Sequence, residues 1–176
     1  MKIKELISQQ QISKRVVELA EEINRDFKGD ELVVICILKG SVFFCCDLMK
    51  ELKMPVKLEV MRCSSYNNGT SSSGEIKISL DLVESIEGKH VLVVEDIIDS
   101  GNTLSHLVKL LGSRGPASLK LVTLLDKPDR RVAEVKVDYS GFVIPDKFVV
   151  GYGLDYAEKY RNFPYIGEIL ELEEDN

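Results

Sequence analysis

Residues 93–104, VVEDIIDSGNTL, constrain the fold of this chain more than any other stretch. An apolar run at 91–94 ends on two adjacent carboxylates, Glu95 and Asp96. Two isoleucines lead to a third carboxylate, Asp99, and then to the small or polar residues Ser100, Gly101, Asn102 and Thr103. From there Leu104, Leu107, Val108 and Leu111 recur at i, i+3, i+4, i+7, the spacing of one helix face. The pattern predicts a buried strand, a short loop and a helix N-terminus. In that arrangement free backbone N–H groups and the helix dipole attract an anion, above all a phosphate. Ser100 and Thr103 add hydroxyl donors, and Gly101 lets the backbone come close. Carboxylates repel a phosphate, so they suit sugar hydroxyls, a bridging divalent cation or proton transfer instead. The ligand that fits this segment carries both a phosphate and a polyol.

The rest of the chain supplies a setting for it. Ile12, Val16, Leu19, Ala20, Ile23 and Phe27 trace an amphipathic helix that Gly29-Asp30 ends. Residues 32–38 form a continuous apolar run suited to a buried parallel strand. Ser41 is placed to cap the helix that follows, to about Leu52. Residues 55–62 and 75–82 alternate as strands, and the polar, Gly-rich segment 64–74 between them reads as an exposed mobile loop. Further strands are expected at 119–125, 135–143 and 148–150, before an acidic tail. Alternating strands and helices imply an α/β fold with a parallel sheet, and such sheets bind ligands beyond the carboxyl ends of their strands. Lys39-Gly40, Glu95-Asp96 and Lys127 all follow strands, which points to one composite site.

VVEDIIDSGNTL resembles the 5-phosphoribosyl-1-pyrophosphate (PRPP) signature of the phosphoribosyltransferases. Four more segments, ILKGS at 37–41, SSY at 64–66, LDKP at 125–128 and PDKFVVGYGLDY at 145–156, follow in the order seen in the hypoxanthine(-guanine) phosphoribosyltransferases, the 6-oxopurine salvage branch of the type I family. The resemblance covers most of the chain. It implies a Rossmann-like parallel-sheet core flanked by helices in a single domain, 1–176, with a small hood from residues 1–30 and 150–176 and a lid at 64–74.

The same resemblance assigns roles. Glu95 and Asp96 hold the ribose hydroxyls, directly or through Mg²⁺; neighbours on a regular strand face opposite ways, so either the strand ends at Val94 or one carboxylate alone meets the sugar. Asp99 accepts the proton at the purine N7 as the catalytic residue, while its local alternative is an Asx turn or helix cap. Ser100, Gly101, Asn102 and Thr103 cradle the 5′-phosphate. Lys39 and Gly40 form a pyrophosphate loop, in which the family often has a non-proline cis peptide. Lys127 donates to the purine 6-oxo group, Phe148 stacks on the base, and Val149 meets its edge through backbone groups; Lys147 is left as structural. Asp155 reaches a second Mg²⁺ through water, Arg161 grips pyrophosphate, and Ser65-Tyr66 carries the lid. The implied ligands are PRPP, 6-oxopurine bases, IMP, GMP and pyrophosphate, with Mg²⁺ as cofactor and a homodimer or homotetramer as the assembly.

Bulk properties fit one soluble domain with a net charge of −6. Generic attraction to nucleic acid or to anionic membranes is not expected, no stretch is apolar enough to span a bilayer, and the N-terminus lacks a signal-peptide core, which makes the cytoplasm the default. Cys36, Cys45, Cys46 and Cys63 show no metal or redox spacing and are read as reduced core thiols; His90 and His106 are read as structural or surface residues. Two alternatives stand beside the salvage enzyme: a nucleic-acid-binding regulator built on the same fold, which the acidic charge and the retained acid and lysine positions disfavour, and a relative that prefers xanthine or another base. Base choice is not readable from this sequence.

Overall fold

Strand β1 (Lys2–Ile7) opens the computed structural model, which describes residues 2–65 and 76–171. Helix α1 (Gln9–Asp26) follows at once, started by a capping box: Ser8 Oγ accepts the Gln11 N–H at 3.2 Å and Gln11 Oε1 accepts the Ser8 N–H at 2.8 Å. Its buried face is Ile12, Val16, Leu19, Ala20 and Ile23. Then come β2 (Leu32–Ile37), α2 (Val42–Glu51), β3 (Val56–Ser65), β4 (Ile76–Leu80), β5 (His90–Ile98), α3 (Asn102–Ser113), β6 (Ser118–Asp126), β7 (Tyr139–Val143), β8 (Val149–Val150) and β9 (Ile166–Glu171). A single 3₁₀ turn, Pro128–Arg130, follows β6.

Six strands make the main sheet in the order β4-β3-β2-β5-β6-β7, parallel except for β4. Every residue of β2 is buried, because the sheet is covered on both faces. Leu32, Val34 and Cys36 of β2 face the layer of α1 and α2, where Leu19, Ile23, Phe44 and Leu48 pack. Val33, Ile35 and Ile37 face the other way, onto Leu104, Leu107 and Leu111 of α3. Burial of each such side chain contributes about 1.5–3 kcal/mol. A smaller antiparallel sheet, β1-β9-β8, joins the two chain ends. No helix among the described residues is long and apolar enough to cross a membrane.

From β2 the chain passes to β3 on one side, whereas β5, β6 and β7 build outward on the other. The sheet therefore reverses direction between β2 and β5, and such a switch point leaves a crevice at the carboxyl ends of the two strands. The sequence carries Lys39-Gly40 at one of those ends and Glu95-Asp96 at the other.

Four local expectations are corrected. The strand expected at 135–143 starts only at Tyr139; Asp138 instead bonds Leu121 through both its backbone N–H, at 3.0 Å, and its side chain, which accepts the Leu121 N–H at 2.9 Å. Phe148 lies just outside β8. Ser41 precedes α2 without capping it; its buried hydroxyl donates to the Ile37 carbonyl at 2.6 Å. Among the thiols, Cys36 and Cys45 are buried, Cys63 is half-buried and Cys46 is exposed, so Cys46 is no core residue. His90 pairs with Ser118 Oγ at 2.7 Å and His106 with the Asn102 carbonyl at 2.7 Å.

At the end of the sheet opposite the crevice, Asp26 ties α1 down. Its carboxylate accepts from Lys120 Nζ at 2.7 Å and from Tyr139 Oη at 2.5 Å. The Lys120 hydrogen bond, then that of Tyr139, holds the Asp26 carboxyl below its ordinary value. A carboxylate with a lowered folded-state pKa adds stability that is fully present above its unfolded pKa, near 3.9, and is lost as pH falls through the lowered value. Because Asp26 is partly exposed, Asp26→Asn is expected to cost no more than about 1 kcal/mol at pH 7. In urea titrations that difference from the parent chain should shrink as pH falls below the unfolded value and vanish once pH lies below the lowered folded-state value; a difference that persists in full acid would assign the effect to packing instead.

Candidate active site

The loop from β5 to α3 is set by Gly101, which takes φ +80 at the N-cap of α3. That left-handed conformation is open to glycine and strained for other residues. A Cβ there would also stand 2.9 Å from Cδ of Arg131 and 3.1 Å from the Ala133 carbonyl. The chain after β6 clamps the loop from behind: the Ser100 carbonyl accepts the N–H groups of Val132 at 2.9 Å and Ala133 at 3.1 Å, and Arg131 Nε donates to the Asp99 carbonyl at 3.2 Å. Arg131 is held in turn by Asp126. Asp99 and Ser100 are thus fixed through their carbonyls. Asp99 is not the helix cap; its carboxylate instead accepts from Arg130 Nε at 3.0 Å.

Both acidic neighbours line the same cleft. The strand does not end at Val94: β5 stays paired with β6 as far as Ile98, but its pairing with β2 stops at Val94. From Glu95 onward one edge of the strand is therefore free, and both side chains reach the cleft from it. Burial, and then the adjacent Asp96, raises the Glu95 carboxyl well above its ordinary value. Burial also raises Asp96, offset in part by Glu95 and by the Ile97 N–H at 2.7 Å. Two carboxylates with raised proton affinity attract a cation or a proton. Oxygen ligands of this kind suit Mg²⁺. Among the described residues no group of three His, Cys, Asp or Glu side chains is placed to hold a metal.

Backbone packs directly on these acids. Gly40 lies so close to Asp96 that a Cβ would fall 1.6 Å from its Oδ2. Behind it Gly153, at φ +101, leaves its own missing Cβ 2.0 Å from the Gly40 carbonyl. The peptide bond at Leu38–Lys39 is cis, one bond before Lys39-Gly40. Lys39 Nζ stands 2.5 Å from Glu158 Oε2, and the Lys39 pairing holds the Glu158 carboxyl below its usual range. Arg161 donates to the Gly153 carbonyl and to Asp155 Oδ1, both at 2.7 Å, and its Nη2 lies 3.4 Å from Glu158 Oε1.

A second line of charges runs from Asp99. Arg130 lies between Asp99 and Asp146, whose Oδ2 is 3.6 Å from Arg130 Nη1 and whose Oδ1 is 3.6 Å from Lys127 Nζ. Lys127 is only 7% exposed. Phe148 is 57% exposed, its ring edge-on to Tyr156 at 5.6 Å. With Ile169 and Leu170 these two rings line an apolar hollow of about 370 Å³. Val149 is buried in β8 opposite Glu168, and Lys147 pairs with Glu168 at 2.7 Å.

One cleft of about 350 Å³ therefore brings together Lys39, Gly40, Glu95, Asp96, Asp99, Ser100, Gly101, Thr103, Asp155 and Arg161. Asn102 is exposed and does not line it; Lys127, Phe148 and Val149 lie outside its walls, Lys127 joined to it through Asp146 and Arg130. The Ser65 side chain and Tyr66 lie outside the described residues. Arg130 and Glu158 were missed by sequence reasoning. Each had a signal: Arg130 follows Lys127 in a loop at a strand's carboxyl end, and Glu158 sits between the selected Asp155 and Arg161.

The fit of Gly40 against Asp96 gives a direct test. Gly40→Ala must displace either the loop or the Asp96 carboxylate that it packs on, and overpacking of that kind costs about 1–3 kcal/mol. Chemical denaturation should register that loss. An unchanged midpoint would mean that the loop and the acids are not in contact.

Comparison with known proteins identifies the family and the fold. A family model described as the phosphoribosyl transferase domain matches residues 2–157. The bifunctional protein TilS/HprT of Listeria monocytogenes is 53% identical over 164 residues, covering 93% of this chain, which spans 25% of that longer protein. The hypoxanthine-guanine phosphoribosyltransferase of Bacillus subtilis is 52% identical over 164 residues, 93% of this chain and 91% of its own length. A crystal structure of a hypoxanthine-guanine phosphoribosyltransferase from Bacillus anthracis superposes with a TM-score of 0.92 at 49% identity, over 96% of this chain and 100% of that one. On family model, relatives and fold together, this chain belongs to the phosphoribosyltransferase family, in its hypoxanthine(-guanine) branch.

Proposed function

We propose that this chain transfers the 5-phosphoribosyl group of PRPP to hypoxanthine, giving IMP, and to guanine, giving GMP, with release of diphosphate. The observation that carries this reading is the convergence in one cleft of the loop at the start of α3, the pair Glu95-Asp96 and the cations Lys39 and Arg161. A phosphate, a sugar and a second anionic group joined in one molecule match those three features in order. On the family ground we place the protein in purine salvage in the cytoplasm, as a homodimer or homotetramer.

Ser100, Gly101 and Thr103 take the 5′-phosphate, with the α3 dipole behind it. Glu95 and Asp96 take the ribose hydroxyls and, with Mg²⁺, orient the sugar; their raised proton affinity supports a cation at that point. When bound, Mg²⁺ neutralises charge on the diphosphate leaving group. Asp155, held by Arg161 and by the Glu158 N–H at 2.9 Å, would serve a second Mg²⁺ through water, the role the family resemblance implies. A purine ring nitrogen attacks C1′ as the C1′–O bond to diphosphate breaks, the bonding pair leaving with diphosphate. Asp99 receives the N7 proton once Arg130 yields its carboxylate. Lys127 donates to the 6-oxo group, the exposed Phe148 stacks on the base and Val149 faces its edge.

Nucleotide formation should be measured from PRPP and Mg²⁺ with hypoxanthine, guanine, xanthine, adenine and uracil offered separately. Turnover is expected with hypoxanthine and guanine, and chelation of Mg²⁺ should abolish it. Asp99→Asn should lower kcat/KM by roughly 10²–10⁴-fold, the usual contribution of a positioned acid or base. Preference for xanthine would reassign the base. Absence of turnover with every base, while PRPP still binds, would overturn the assignment.

A further inference from the structure

We infer that Glu158 is an internal competitor for the diphosphate end of the cleft, a residue that sets how tightly the chain holds PRPP and its leaving group. The inference rests on the reading above that Lys39 and Arg161 grip the diphosphate. Its own evidence is the bridge: one carboxylate gives Oε2 to Lys39 Nζ at 2.5 Å and turns Oε1 toward Arg161 Nη2 at 3.4 Å. One oxygen to each of two cations is how a phosphate group would span them.

The backbone is shaped to present this carboxylate. Residues 156–159 form a tight turn closed by two hydrogen bonds, Tyr156 N–H to the Lys159 carbonyl at 3.1 Å and Lys159 N–H to the Tyr156 carbonyl at 3.0 Å. Ala157 and Glu158, at its tip, have φ of +50 and +63. Neither is glycine, so this left-handed pair is sterically disfavoured and is held in place by the turn and by the Glu158 N–H on Asp155. Arg161 keeps two further partners, Asp155 and the Gly153 carbonyl, and so stays in position whether or not Glu158 lets go. Lys39 is different: Glu158 is its ion-pair partner among the described residues. An incoming diphosphate must displace the carboxylate from Lys39 or bind against its charge. The Glu158 side chain is 65% exposed, so it can swing into solvent without disturbing the core.

The test uses the full chain with inorganic diphosphate as the calorimetric probe, alongside KM for PRPP. Glu158→Gln keeps the shape and removes the charge. It should bind diphosphate and PRPP about two- to fivefold more tightly, the scale of an exposed ion pair. Added salt should narrow that gap, because it screens the competing pair. In a Lys39→Ala background the gain from Glu158→Gln should shrink. Unchanged or weaker diphosphate binding by Glu158→Gln, while Lys39→Ala lowers the affinity, would overturn the competitor role and leave Glu158 as a holder of the cations. If neither Lys39→Ala nor Arg161→Ala alters diphosphate binding, the assignment of this end of the cleft fails first, and the inference falls with it.

Discussion

The arrangement of the cleft depends on one contact without a side chain on its backbone half, the packing of Gly40 on the Asp96 carboxylate. Three segments distant in sequence stack there: the end of β5, the loop after β2 and the turn after β8, joined as Asp96, Gly40 and Gly153 with no room for a Cβ at either glycine. The first two lie on either side of the switch point of the sheet, and the third comes from the smaller sheet that unites the chain ends. This stack brings Lys39 and Arg161 to the same side of the acids, since each is close in sequence to one of the stacked glycines. Long charged side chains are poor at fixing distances between loops, because each carries considerable rotamer entropy. Backbone against carboxylate fixes them instead.

Burial of two acids at the end of a hydrophobic strand would be costly without compensation. The fold meets it by leaving one edge of β5 free past Val94, so that Glu95 and Asp96 are raised in proton affinity yet line a cleft instead of being sealed in. Elsewhere the charges are paired across loops: Asp99 with Arg130, Arg130 and Lys127 with Asp146, Lys39 with Glu158, Arg161 with Asp155. Most of these pairs are part-exposed and individually weak. Weak pairing of this kind is what the proposed chemistry would need where a ligand charge has to be admitted.

How far the sequence could be read depended on the kind of signal. Periodicity located α1 and the buried β2, and the strand-loop-helix at 93–104 was visible because one segment carried its own strand, glycine and apolar helix face. Local chemistry misled where a tertiary partner took over. Ser41 looked like a cap, but once buried its hydroxyl was claimed by the Ile37 carbonyl. The alternation at 135–138 looked like strand, but that stretch follows residues 132 and 133, which are bonded to the Ser100 carbonyl. Arg130 and Glu158 were passed over because their one signal was nearness in sequence to selected residues; the opposite charge each faces is set by the fold. Cys46 shows the same limit, since its neighbour Cys45 is buried and a helix turns adjacent residues to different faces.

The two ends of the cleft follow one principle in different materials. At the α3 end the loop is rigid: a left-handed glycine, carbonyls tied back to residues 131–133 and a helix dipole leave its geometry little freedom. At the β8–β9 end the elements are side chains in exchangeable pairs, carried on a turn whose tip holds non-glycine residues at positive φ. A group that must stay bound throughout a transfer belongs on the first, because backbone donors need no reorganisation to hold it. On the proposed reading, a group that must depart falls on the second, where Glu158 is the carboxylate that pairs with Lys39 and Arg161. The asymmetry of the cleft is what the proposed reaction would ask for, with one phosphate an anchor and the other a leaving group.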